Sequence, residues 1–375
     1  MIPYGRQVLD GSDEEAVLAA LRSGWLTTGP AVERFEQDLA GWTGGVPAVA
    51  VTSGTAALHT AYAAIGLRPG DEVVTTPLTF VATAAAAALL GARVVFADVR
   101  EDTGNLDPAA VAAAVGERTR VVAAVDYAGL PADVDALAPL AHDAGALLLQ
   151  DAAHSIGSTS RGRPVGSLAD VTTLSFFATK NLTTAEGGAV VTADETVLAA
   201  ARAFRNHGLV RDPGRQRWPD EGPWHQEVHS LGLNYRLPDP LCALGSSQLR
   251  RLAAFKARRD AVNARYDEAL RDVPGLRLPH RSPDADPVWH LYPLRVLEGR
   301  RRALFEHLRA GGVGVQVNYI PVYWHPVFAD AGYQRGTCPV AEAYYEQEIS
   351  LPLHAGLTDD EVDLVCDLVR GFLGA

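Results

Sequence analysis

Lysine is almost missing from this chain: of its 33 basic residues only Lys180 and Lys256 are lysines. Lys256 lies in RRLAAFKARRD, a basic stretch at helical spacing, and reads as a solvated surface charge. Cysteine is also scarce. Cys242, Cys338 and Cys366 stand far apart and form no CxxC, which excludes a zinc ribbon or a disulfide framework and suits a reducing cytoplasm. The opening MIPYGRQVLDGSDEE lacks the apolar core of a secretion signal, so a cytoplasmic protein is expected. Long apolar runs are missing too. The one stretch resembling a membrane span, LTFVATAAAAALLGARVVFA, is mostly alanine, and Gly91 and Arg93 divide it into a helix and a strand. A net charge of −12 leaves no basic face for nucleic acid, but does not exclude a locally basic pocket. No GxGxxG follows a strand, and neither GxxxxGK[ST] nor GxSxG occurs, so nicotinamide, P-loop and hydrolase chemistries lack their anchors. HQEVH at 225–229 has its glutamate one position away from the zinc helix motif and lies in a Pro- and Trp-rich loop; no metal is expected.

What is present is a rhythm. Short apolar runs at 48–51, 72–76, 92–97, 120–125, 146–150, 171–176 and 189–192 alternate with helical stretches, which predicts an α/β fold with a mostly parallel sheet. The last two runs are separated by twelve residues, Phe177 to Gly188, near the lower limit for a crossover, so one antiparallel strand is expected there. Past residue 245 the texture changes to a long basic helix, strand-like WHLYPLRVL and VGVQVNYIPVYW, and a last helix from about Asp359. This predicts a large α/β domain over 1–245, with an N-terminal arm, and a small α+β domain over 246–375. The polar segment 210–230 is a long loop, of the kind that is functional or poorly ordered.

Lys180 sits among small, apolar or hydroxylated neighbours in SFFATKNLTTAEGG, with no nearby carboxylate. A lysine kept where arginine serves elsewhere points to a primary amine that must lose its proton and attack a carbonyl, as pyridoxal 5′-phosphate (PLP) chemistry requires. The other parts of a PLP site occur at strand ends. In AVAVTSGTAALHTA, Gly54 permits the turn, and Thr55 and Ala56 open a helix whose N-terminus suits phosphate; alone this would be an ordinary Ser/Thr cap. In ALLLQDAAHS, Asp151 follows a buried strand and can hold a pyridine nitrogen protonated, while His154 can reach a ring hydroxyl. Ser175 precedes Lys180 by one short loop and can donate to phosphate. Phe80 can stack on a flat ring; alone it reads as core packing.

The ordered set TSGTAALH, TPLTFVATA, DAAHS, SFFATKNLTTAEGG, RNHG and LNYRL resembles the PLP-dependent nucleotide-sugar aminotransferases of the DegT/StrS family over nearly the whole chain. IPYGRQ, WLTTGP, EGPW, YIPV, CPVAEAYY and EISLPL are similar to its pseudaminic-acid-type 4-aminotransferases. The resemblance implies a type I, aspartate-aminotransferase-like fold and a homodimer with sites shared between subunits. It implies that Lys180 attaches PLP, Asp151 pairs with the ring nitrogen, and His154 contacts the ring hydroxyl. Thr55, Ala56 and Ser175 would hold the phosphate, Asn234 would reach the partner's cofactor, and Phe80 would stack on the ring. Arg236, Tyr319 and His325 are the implied substrate contacts. Phe177, Asp126 and Asn318 depart from the family pattern and are expected to face or flank the sugar. The expected reaction moves the amino group of L-glutamate, leaving 2-oxoglutarate, to a UDP- or TDP-linked 4-keto-6-deoxy sugar. A cyclitol or 3-keto-sugar aminotransferase and a non-catalytic PLP-binding regulator are the alternatives. A sugar dehydratase of the same fold has histidine where Lys180 stands.

Overall fold

The computed structural model describes residues 1–374. Its centre is a seven-stranded sheet. In spatial order the strands are Ala48–Val51, Gly188–Val191, Val171–Ser175, Leu147–Asp151, Thr119–Val125, Glu72–Thr75 and Arg93–Phe96. Each of the apolar runs read from the sequence forms one of them. The five strands from Val171–Ser175 to Arg93–Phe96 pair in parallel. Gly188–Val191 runs antiparallel to both neighbours, as the brevity of its connection to Ser175 requires. Helices cover both faces, so the central strands are buried on both sides and read as continuous apolar runs, not as alternation. The alanine-rich stretch becomes the helix Ala82–Leu89 and the strand Arg93–Phe96. Among the described residues no helix is long and apolar enough to cross a membrane.

Helix Asp239–Leu249 packs against Gly11–Arg22 and Pro30–Trp42. The following helix, Leu252–Leu270, packs instead against Asp359–Leu373 beside a second, antiparallel sheet of Leu276–Arg277, Tyr292–Val296 and Glu348–Leu351. The N-terminal residues cross to that side: Ile2 pairs with Val313, and the Leu353 amide donates to the Tyr4 carbonyl at 3.3 Å. Gly314 makes this crossing possible, since a Cβ there would lie 2.8 Å from the Tyr4 nitrogen.

The long segment after Leu209 is ordered by one carboxylate. Leu209–Val210 pairs with Glu227–Val228, and Glu227 accepts the amides of Arg217 and Trp218, both at 2.8 Å. His225 and His229 also turn onto Glu227. Trp218 and Trp224 stay exposed on this hairpin. The three cysteines are free and buried. Lys256 is tied to Asp260 and Asp286, at 2.7 Å each, so it is bridged and not freely solvated.

Candidate active site

Parallel strands leave their last side chains pointing into one crevice. Here the crevice is a cavity of about 410 Å³ whose wall includes Gly54, Thr55, Phe80, Asp151, His154, Ser175, Lys180 and Tyr319. Those residues come from five separate stretches of chain, and the sheet brings them together.

Asp151 ends its strand and is buried. Its Oδ2 accepts the Thr83 hydroxyl at 2.7 Å, and its Oδ1 accepts the Ala153 amide at 3.2 Å. Burial pushes this carboxyl up, while the Thr83 and Ala153 hydrogen bonds and the nearby Lys180 charge pull it back. Lys180 follows a tight turn in which its amide donates to the Phe177 carbonyl at 2.9 Å. Burial brings its amine from 10.5 down to about 8, against the opposing pull of Asp151. A lysine so placed is an available nucleophile near neutral pH.

Beside them is an aromatic stack. His154 and His290 lie with ring centroids 4.4 Å apart, and the Tyr319 ring lies 6.1 Å from His154 at 22°. His154 Nε2 and the Tyr319 hydroxyl are 3.1 Å apart. Burial, with Lys180 adding to it, holds His154 neutral, well below the ordinary histidine range. The Nδ1 atoms of both histidines are buried without a partner. Phe80 is 59% exposed, with its ring 6.2 Å from Tyr319.

At the opposite end, Ser53 caps the helix Gly54–Ile65 by accepting the Ala56 amide at 3.0 Å. A Cβ on Gly54 would meet Ser175 at 2.8 Å, so glycine lets the positive helix end come down onto the strand that carries Ser175. Ala56 itself is buried behind the wall.

Asn234, Arg236 and His325 lie outside this cavity. Asn234 is exposed and bridges to Asn206, and Arg236 donates to the Asn206 side chain at 2.5 Å. His325 precedes the short helix Pro326–Asp330. Of the three departures from the family pattern, Phe177 and Asn318 line the cavity. Asp126 does not line it, although its neighbour Val125 does, so of the expectation that it faces or flanks the sugar only the flanking position remains. It is fully buried, where Gln150, Ser155 and the Ala132 amide all donate to its carboxyl. Its type is set by those donors.

Sequence reasoning missed Thr79, Thr83, Tyr4 and His290, all of which face the cavity. The four-residue spacing of Thr79 and Thr83 across a helix start was a usable signal: their hydroxyls are 2.8 Å apart, and the Thr83 hydroxyl donates to Asp151. Tyr4 and His290 gave none, because they arrive from distant parts of the chain.

The donor set fits PLP. A buried acid, an amine lowered to about 8, a helix N-terminus drawn close by a glycine and the residues His154 and His290 line one space. The profile of the DegT/DnrJ/EryC1/StrS aminotransferase family matches residues 7–370. The chain is 40% identical to the spore coat polysaccharide biosynthesis protein SpsC of Bacillus subtilis, over 98% of this chain and 96% of that one. Helicobacter pylori PseC, an aminotransferase involved in the biosynthesis of pseudoaminic acid, superposes with a TM-score of 0.93 at 32% identity, covering 100% of this chain and 99% of its own. Spr1654 of Streptococcus pneumoniae, solved in its PLP form, gives a TM-score of 0.93 at 28% identity over 100% and 98% of the two chains. The chain therefore belongs to the DegT/DnrJ/EryC1/StrS aminotransferase family, and is a PLP-dependent sugar aminotransferase.

Proposed function

We propose that this enzyme transfers the amino group of L-glutamate to carbon 4 of a UDP- or TDP-linked 4-keto-6-deoxy sugar. The observation that carries the reading is the shared cavity of Lys180 and Asp151, one an amine brought down to about 8 and the other a buried acid. The likeness to PseC supports the choice of a 4-keto sugar.

PLP, when bound, supplies an aldehyde that takes up the amino group and a ring that accepts electrons from the reacting carbon. Lys180 Nζ would hold PLP through that aldehyde and, once released from it, would serve as the base that moves the proton. Asp151, its carboxyl oriented by Thr83, would keep a proton on the ring nitrogen. His154, neutral and steadied by Tyr319, would meet the ring hydroxyl. Gly54 and Thr55, at the helix N-terminus, and Ser175 would hold the phosphate. The boundary expected at 245 would cut the helix Asp239–Leu249, which packs on Gly11–Arg22, so a division near Arg250, before the helix that packs on Asp359–Leu373, fits the packing better.

Among the described residues, Lys180 is the only lysine or arginine lining the cavity. Two anionic substrates need more positive charge than that. A second copy presenting Arg236, with Asn234 beside it as a neutral donor, would supply it, which supports a homodimer with shared sites. The test is direct. Enzyme loaded with PLP is converted by L-glutamate to its amino form, freed of glutamate, and offered UDP- and TDP-linked 4-keto-6-deoxy sugars. Return of the PLP absorbance with formation of a 4-amino sugar is expected. Conversion by glutamate with no return on any of these sugars would reject the substrate class.

A further inference from the structure

One wall of the cavity is built by a hydrogen-bonded group that the chemistry at Lys180 does not use. Asn318 is held at nearly every polar atom. Its amide donates to Glu348 Oε2 at 2.6 Å, and its carbonyl accepts the Tyr127 hydroxyl at 2.6 Å. Its side-chain nitrogen donates to the Ser350 hydroxyl at 3.0 Å and to the Tyr4 hydroxyl at 2.6 Å. Ser350 in turn donates to Glu348, which is fully buried. Tyr4 is carried here by the crossing of the N-terminal residues over Gly314. Both Tyr4 and Asn318 face the cavity.

The phenol oxygen of Tyr4 accepts from Asn318, so its own proton remains available for donation. Burial and the Glu348 carboxyl keep that phenol protonated, well above the ordinary tyrosine range. The result is a neutral donor held in one position by a braced amide, next to the aromatic faces of Tyr319 and Phe80. A dicarboxylate would need cations there. An uncharged ring bearing hydroxyl, keto or amide oxygens matches neutral donors and aromatic walls.

We propose that Tyr4, set in place by Asn318, is a specificity-determining contact that hydrogen-bonds a ring substituent of the keto sugar and plays no part in the glutamate half of the reaction. This rests on the sugar reading above.

The two halves are measured separately on PLP-loaded Tyr4→Phe enzyme, with UDP- and TDP-linked 4-keto-6-deoxy sugars as probes. Loss of one buried hydrogen bond should raise KM for the sugar about tenfold. The glutamate half and the absorbance of bound PLP should match wild type, while the melting temperature should fall slightly because Asn318 loses one acceptor. Calorimetric Kd for the 4-amino sugar product should weaken by a similar factor. Asn318→Ala should raise the sugar KM too, and the double variant should be no worse than the poorer single one, because both act through one contact. An unchanged sugar KM in Tyr4→Phe, equal losses in both halves, or additive effects in the double variant would overturn the proposal. Wild type is read on the same sugars. If it converts none of them, the substrate class falls and the proposal with it; if it converts them and Tyr4→Phe equals it, only the proposal falls.

Discussion

The Thr83 hydroxyl donates to Asp151 Oδ2 at 2.7 Å, and Thr79 stands behind it at 2.8 Å. The acid proposed to face the cofactor ring is thus aimed by a relay that begins on a different strand end. Thr83→Val keeps the shape and removes the donor. Hydrogen bonds to charged groups contribute about 1.5–3 kcal/mol, so PLP retention should weaken roughly tenfold or more. Dialysis followed by absorbance measures this, and undiminished retention would separate Thr83 from the cofactor site.

Lys180→Ala should abolish turnover, and Lys180→Arg should do no better, because a guanidinium does not give up its proton. The pH dependence follows from the depressed amine. Below about 8 the Lys180 amine is protonated and cannot attack, and above it the free base predominates. Covalent capture of PLP by the apo-protein should therefore speed up about tenfold per pH unit towards that value and then level off. Stopped-flow absorbance between pH 6 and 10 checks it; a flat profile would place the amine elsewhere on the scale.

Gly54→Ala would bring a methyl group to 2.8 Å from Ser175. Overpacking of this kind costs about 1–3 kcal/mol. Here it would also push the helix end away from the phosphate. A lower melting temperature together with weaker PLP retention is expected, and loss of neither would show that the close approach is not needed.

Asn234→Ala tests the shared site, since this side chain lies on the outside of its own subunit. Weaker PLP retention is expected. Mixing Lys180→Ala chains with Asn234→Ala chains should rebuild one intact site in each mixed dimer, giving roughly a quarter of wild-type sites. Activity no higher than the mean of the two parents would argue for self-contained subunits.

The sheet was legible because a strand buried on both faces leaves an unbroken apolar run, as Ala48–Val51 and Gly188–Val191 do. Asp151, Ser175 and Lys180 were legible because strand ends place side chains in one crevice. Tyr4 and His290 were not, since nothing local marks a residue whose role comes from distant packing. Asp126 drew notice only as a departure from the family pattern, and the sequence could not show that Gln150, Ser155 and the Ala132 amide would meet on its carboxyl. The segment around HQEVH suggested a loop, and its order comes from a single acid, Glu227, that collects amides from ahead of it.

Lys256 is clamped between two aspartates, and Lys180 is the other lysine of the chain. Borohydride reduction of the loaded enzyme should consequently fix the pyridoxyl group to a single peptide, and mass spectrometry could assign that peptide without ambiguity.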